Sequence, residues 1–414
     1  MDVPEFVPDL AASLDEHLRA ADEQLAADYP GEPTGRGPVH TVYVPGDLFT
    51  GHTVAQWGGQ ALDLLDRFAP DAATLAAAVG VDVAEVEPIY QRLRAKLTAQ
   101  PIEDLRVDFE DGYGRRDDAI EDDHLAAAVD GLRAILDADN RPTWWGIRFK
   151  CFEAPTRARG VRTLGMFVGA MADRAHDGLT LTLPKVTSVE QAEAMRIACE
   201  KIEEAGGLDR GTVTFEIQVE TAQAIMAASG VAPLAPMIRA GKGRVSSLHY
   251  GTFDYSAGLG IAAAYQALDH PVADHAKNVM QVSAAQTGVR MSDGSTNVIA
   301  FGDAEQAHAT WKLHYGLVER SLVRGIYQGW DMHPGHLPTR YLANYLFFRR
   351  AMPDACKRLA AYLSKTGGDV MDEPATARML AMALLRGVHC GAIDETEVLD
   401  TSGLSLDQLT ELTR

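Results

Sequence analysis

Residues 213–221 read VTFEIQVET, and their alternation decides the fold. Phe215, Ile217 and Val219 fall on one face of a strand, and Glu216, Gln218 and Glu220 fall on the other. The apolar face suits packing against outer helices, so the three polar groups are expected to point into a barrel. The next β-like run, SSLHYGTFDYSAGLG at residues 246–260, closes on Asp254, and one helix-length connection separates the two runs. In a parallel barrel Glu220 and Asp254 then both stand at the C-terminal rim, where barrel enzymes keep their chemistry.

Outward from this pair, short β-like runs alternate with helix-period stretches, the pattern of repeated βα units. The runs are HTVYVPG, DLRVDFEDG, TWWGIRFKC, LTLTLPKV, VTFEIQVET, RVSSLHYGTFDY, a weaker TGVRMSD, and QGWDMHP. Eight strands is the count of a closed (β/α)8 TIM barrel, the fold expected here. A helical N-terminal segment over 1–39 precedes a barrel over 40–337. A helical insertion at 54–100 follows the first strand, and a helical C-terminal extension covers 338–414. No glycine fingerprint for phosphates opens any helix, and GLGIAAAYQAL at 258–268 fails the GxGxxG spacing.

Composition limits the partners. The chain has 414 residues, 46% of them hydrophobic, and a formal net charge of −20. That charge argues against nucleic acid or an anionic membrane, since either needs a basic face. Four scattered cysteines without a CxxC pair read as reduced thiols. MDVPEFVPDL has neither a basic nor an apolar leader region, so a cytoplasmic protein is expected.

Burying two carboxylates and an amide inside a barrel costs several kcal/mol unless partners exist. Two hard oxygen donors on neighbouring strands suit Mg²⁺ or Mn²⁺ better than zinc. The sequence therefore favours Glu220 and Asp254 as metal ligands. For Glu216 it favours the other reading, an interior ion pair with Arg or Lys. Arg148 shares a strand face with Gly146 and Lys150, and small Gly146 leaves space for an inward guanidinium. The fork suits a substrate carboxylate, the alternative being a salt bridge to Glu110 or Glu220. In VDFEDGYGRRDD, Glu110 and Asp111 sit at a strand exit, as base or water-holding group on one reading and as plain acidic surface on the other. Lys185 ends its strand and can steady an enolate, a barrel carboxylate or nothing but solvent. Gly251 allows close approach of backbone or of a ligand. His333 ends the last strand as an acid, an orienter or a structural histidine.

Taken in order, YVPGD, DFEDG, RFK, LPKV, QVET, YGTFDYSAGLG and MHPG resemble the superfamily of citrate lyase β-subunits and 2-oxo-acid (pyruvate-type) aldolases. YGTFDY is also similar to malate synthases. The resemblance implies a (β/α)8 barrel with Mg²⁺ or Mn²⁺ held by Glu220 and Asp254. It further implies a substrate carboxylate gripped by Arg148 and an acidic pair at Glu110 and Asp111. Where pyruvate-type aldolases carry a histidine after the second-strand glutamate, this chain has Asp111, as in the lyase branch. The implied activity is aldol or Claisen cleavage or condensation of a small 2-oxo or hydroxy acid, or of its acyl-CoA ester. The alternatives are a phosphoenolpyruvate- or pyruvate-handling enzyme and an inactive barrel serving as a subunit or sensor. Apolar faces such as Leu380, Leu384 and Val388 in the tail need cover. A neighbouring subunit in a homo-oligomer is the expected source, and the resemblance implies a trimer or hexamer; folding back onto the chain's own barrel and insertion is the competing reading.

Overall fold

A computed structural model describes residues 4–364 and 373–413 of the chain. Residues 1–3 of the expected N-terminal segment, and residues 365–372 and 414 of the expected C-terminal extension, lie outside the described residues.

Eight parallel strands form the centre: β1 (His40–Pro45), β2 (Asp104–Asp108), β3 (Trp144–Arg148), β4 (Thr180–Leu183), β5 (Thr214–Val219), β6 (Val245–Tyr250), β7 (Arg290–Ser292) and β8 (Gly329–Asp331). They pair in the order β7-β6-β5-β4-β3-β2-β1-β8. A parallel bridge from Ser292 to Gln328, with Asp293 N–H donating to the Gln328 carbonyl at 2.8 Å, joins β7 to the start of β8. The sheet thus closes into the expected (β/α)8 barrel. RVSSLHYGTFDY is shorter as a strand than its β-like residues predict. β6 ends at Tyr250, and Thr252–Gly258 turns into a helix carrying Asp254 in its first turn.

The alternation in VTFEIQVET behaves as read. Phe215, Ile217 and Val219 are fully buried against the outer helices, which is worth about 1.5–3 kcal/mol for each large apolar side chain. Glu216 faces inward into a polar layer. It accepts from Tyr43 Oη at 2.7 Å, from Arg106 Nη2 at 2.9 Å and from Thr182, with His249 Nε2 at 3.1 Å. Arg106 also pairs with Asp104. Glu216 is therefore an ion-paired barrel residue. One register line around the wall, Asp108–Arg148–Thr182–Glu216–Ser247, brings five polar residues from five strands side by side.

The insertion after β1 folds as helices Thr53–Phe68, Ala72–Val79 and Val83–Ala99, and the tail as Leu337–Ser364, Pro374–His389, Glu395–Ser402 and Leu406–Leu412. Together with helix Ala304–Val323 they bury a second apolar core beside the barrel. Leu384 is inside that core, and Leu380 and Val388 pack against it. The tail faces find their cover within the chain, on the neighbouring tail helices and through them on the insertion, so they give no argument for a neighbouring subunit. The four cysteines are free and buried. No helix among the described residues is long and apolar enough to cross a membrane.

Candidate metal centre

Glu220 follows the last residue of β5 and is 2% exposed. Its Oε1 accepts the Lys185 backbone N–H at 2.8 Å. Lys185 takes a left-handed backbone conformation with φ 50°, a strained choice for a residue with a side chain. That turn lets the same residue offer its N–H to Glu220 and its ammonium to the acids across the rim. Gly251 is required for a related reason: a Cβ there would lie 2.4 Å from Glu220 Cβ and 2.6 Å from its Oε2. The close approach made by Gly251 is to the carboxylate itself.

Asp254 reaches this point from the helix after β6. Lys185 Nζ stands 2.9 Å from Asp254 Oδ2, 2.6 Å from Asp111 Oδ2 and 3.5 Å from Glu110 Oε1. Four carboxyl groups from three βα connections thus converge on one lysine: Glu110 and Asp111 after β2, Glu220 after β5, Asp254 after β6. Lys185 is held by these acids rather than by solvent.

Arg148, at the end of β3, is 3% exposed. Its Nε and Nη2 grip Asp108 at 2.7 and 2.6 Å, a bidentate pair set by the β2–β3 register. The main partner is Asp108, which the salt-bridge alternative read in the sequence, Glu110 or Glu220, did not include. Nη1 remains toward Gln218 Oε1 at 3.3 Å and Glu110 Oε2 at 4.0 Å. Tyr43 and Trp330 flank the guanidinium, their ring centres 4.9 and 5.4 Å away. The role of Gly146 differs from the one read in the sequence. A Cβ on it would strike the Thr180 carbonyl, so its small size serves the β3–β4 approach and not the arginine.

Burial and crowding set the protonation of the cluster. Removal from water pushes Glu220 up to about 8 against the pull of Lys185 and Arg148, with Asp254 and Glu110 adding repulsion. Glu110 rises to about 7, first through burial, with the Asp111 charge reinforcing it and Arg148 opposing. Burial works against the Asp111 carboxylate too, but hydrogen bonds from Glu110 and Lys185 prevail and hold it at about 2. Lys185 is raised: burial opposes its charge, and Glu220 and Glu110 overcome that. Among the described residues, the cationic side chains paired with Asp108, Glu110, Asp111 and Asp254 are Arg148 and Lys185, and Glu220 adds a fifth carboxyl. That excess of hard oxygen donors fits a divalent cation such as Mg²⁺ or Mn²⁺.

His333 has other company. Its Nδ1 accepts the Gly335 N–H at 2.9 Å, and its ring stacks on Phe301 at 5.0 Å. Burial lowers it to about 4. These contacts tie it to the turn after β8, and none of them reaches the acidic cluster.

The sequence did not single out His314, Asp331 and His336, whose side-chain donors lie within 4.8 Å of one another. Arg340 grips Asp331 through Nε and Nη2, His40 Nδ1 stands 2.8 Å from Oδ2, and His314 Nε2 stands 3.0 Å from Oδ1. A dication here would have to displace a guanidinium. The group is a buried ion network fastening β8 to helices Ala304–Val323 and Leu337–Ser364. Asp108, Tyr43 and Trp330 were likewise passed over, although Asp108 shares a strand face with Glu110 in the sequence.

The chain belongs to the family described as Domain of unknown function (DUF6986), whose model matches residues 18–414. No curated protein matches the sequence. Among solved structures, the magnesium/glyoxylate complex of Haloferax volcanii malate synthase shares 13% identity, over 91% of this chain and 98% of that one, with a TM-score of 0.51. The CitE protein from Mycobacterium tuberculosis, in complex with magnesium, acetoacetate and coenzyme A, shares 17% identity over 86% and 99%, at 0.46. At such identities the malate synthase likeness is one of fold.

Proposed function

We propose that the protein is a divalent-metal-dependent carbon–carbon lyase or synthase of the aldol or Claisen type. Its substrate would be a small 2-oxo or hydroxy acid, or the acyl-CoA ester of one. The observation that carries this reading is the convergence of Glu110, Asp111, Glu220 and Asp254 on Lys185 at the C-terminal rim of a closed barrel. The fold likeness to a malate synthase solved with magnesium and glyoxylate supports it.

Glu220 and Asp254 would hold Mg²⁺ or Mn²⁺, with the Lys185 ammonium moving off Asp254 as the ion arrives. When bound, the ion supplies Lewis-acid polarisation of a substrate carbonyl. The remaining work belongs to side chains. Arg148, braced by Asp108 and walled by Tyr43 and Trp330, offers Nη1 to a substrate carboxylate. Glu110 lies 4.0 Å from that same Nη1 and titrates near neutrality, which suits moving a proton at the carbon next to the carbonyl. Asp111 keeps the Lys185 ammonium close to the developing negative charge.

The test is a Mg²⁺-supplemented screen of pyruvate, oxaloacetate and glyoxylate, each with and without acyl-CoA esters, followed by product analysis. A carbon–carbon bond made or broken, and lost with chelator, is the result expected. In Arg148→Lys, the same reaction should lose turnover or substrate affinity, because a point charge cannot replace the fork. No metal-dependent product from any pairing would count against the reading.

A further inference from the structure

A cavity of about 460 Å³ lies at the other end of the barrel from the acidic rim. Val39, Val289 and Gln328, which precede β1, β7 and β8, form one wall, and helix Pro374–His389 forms the facing wall. Its volume is that of an ordinary small-molecule site. Its charge runs against the rest of the molecule.

Arg290 and Arg386 both line it. Arg290 Nη2 donates to the carbonyls of Gly35 and Arg36 at 3.3 and 3.2 Å, and the Arg386 guanidinium lies 4.0 Å from the centre of the Tyr327 ring. Neither has a carboxylate within 4.0 Å among the described residues. Elsewhere on this acidic chain arginines are routinely paired, as in Arg92–Asp394, Arg133–Asp173 and Arg350–Glu85. Glu32, which also borders the cavity, accepts the Gln286 N–H at 2.8 Å. His389 stands one turn after Arg386 on the same wall, and burial, then repulsion from Arg36 and Arg290, lowers its pKa.

Around these arginines Phe348, Met382 and Met291 give an apolar lining.

We propose that this cavity binds a small organic anion with an apolar body. The anion meets Arg290 and Arg386, and the body lies against the methionines. Because it joins the base of the barrel to helix Pro374–His389, the bound ligand stabilises the docking of that helix. The site is independent of the rim and of the reaction proposed there.

The probe is 8-anilinonaphthalene-1-sulfonate, an aromatic anion with one N–H, titrated by fluorescence into the full-length protein. N-phenyl-1-naphthylamine, which lacks the sulfonate, serves as the neutral arm. The expected result is one equivalent of the anion bound, with the neutral compound at least about tenfold weaker, the worth of one charge-assisted hydrogen bond. Arg386→Gln should weaken the anion by about tenfold and leave the neutral compound unchanged. Ala285→Trp fills the cavity from an exposed position without altering charge, and should abolish binding of both while circular dichroism stays that of the parent. Octanoate and octyl phosphate, used as displacers, tell a carboxylate ligand from a phosphate one. Binding of several equivalents, binding insensitive to both substitutions, or no binding and no displacement by any of these anions would overturn the proposal.

Discussion

The Lys185 ammonium lies 2.9 Å from Asp254 Oδ2 and so occupies an oxygen that a cation at the rim would need. Its second close contact, Asp111 at 2.6 Å, makes it a tethered counter-ion for the cluster. Removing it leaves Arg148 as the remaining cation beside the acids, paired with Asp108 and near Glu110. Lys185→Met is expected to lower the melting temperature of the metal-free protein by several degrees and to bind Mn²⁺ more tightly than the parent. Calorimetric titration and thermal melts with and without metal check this. A variant that melts with the parent and binds Mn²⁺ no better would show that the lysine does not compete for the ion.

Gly251 makes a narrower prediction. The carboxylate of Glu220 occupies the space that a methyl on residue 251 would need. Gly251→Ala should push that carboxylate out of line and cost about 1–3 kcal/mol of stability through overpacking. Metal affinity should fall at least about tenfold beyond what Ala substitution at exposed Gly59 does, since 1.4 kcal/mol of misplacement is enough for that. Equal metal affinities in the two variants would remove Glu220 from the metal site.

The pH dependence follows from Glu220. Its carboxyl, pushed up to about 8 in the folded protein against an ordinary value near 4.5, holds a proton at neutral pH when no ion is present. A metal must displace that proton, so apparent affinity should rise with pH and level off above about 8, by up to tenfold per unit below it. The same shift means that the metal-free fold loses stability as pH climbs from about 4.5 through 8, because the native state binds the extra proton. Titrations at pH 6, 7, 8 and 9 read both effects. A flat affinity profile would contradict the assignment.

Much of this was legible in the residues, and the parts that were not have physical reasons. The alternation in VTFEIQVET fixes which side chains enter the barrel, because a period of two cannot be read in two ways once one face is apolar. The eight βα units follow from the same signal. Helix Thr252–Gly258 escaped because TFDY is β-like by composition, while the helix is set by the chain turning over the rim after β6. Asp108 escaped because choosing among several acids for Arg148 needs the β2–β3 register, which is a tertiary fact. The cover over Leu384 depends on helices some 300 residues apart in sequence finding one core. Arg290 and Arg386, without a carboxylate partner among the described residues, carry no local signal at all.

The central claim is that Glu220 and Asp254 bind one divalent cation. The direct measurement is Mn²⁺ titration of the metal-free protein, followed by electron paramagnetic resonance, for the parent, Glu220→Gln and Asp254→Asn. The account predicts one bound ion in the parent and a loss of at least about a hundredfold in affinity in each variant, with unchanged circular dichroism. Either variant binding one Mn²⁺ as tightly as the parent would contradict it.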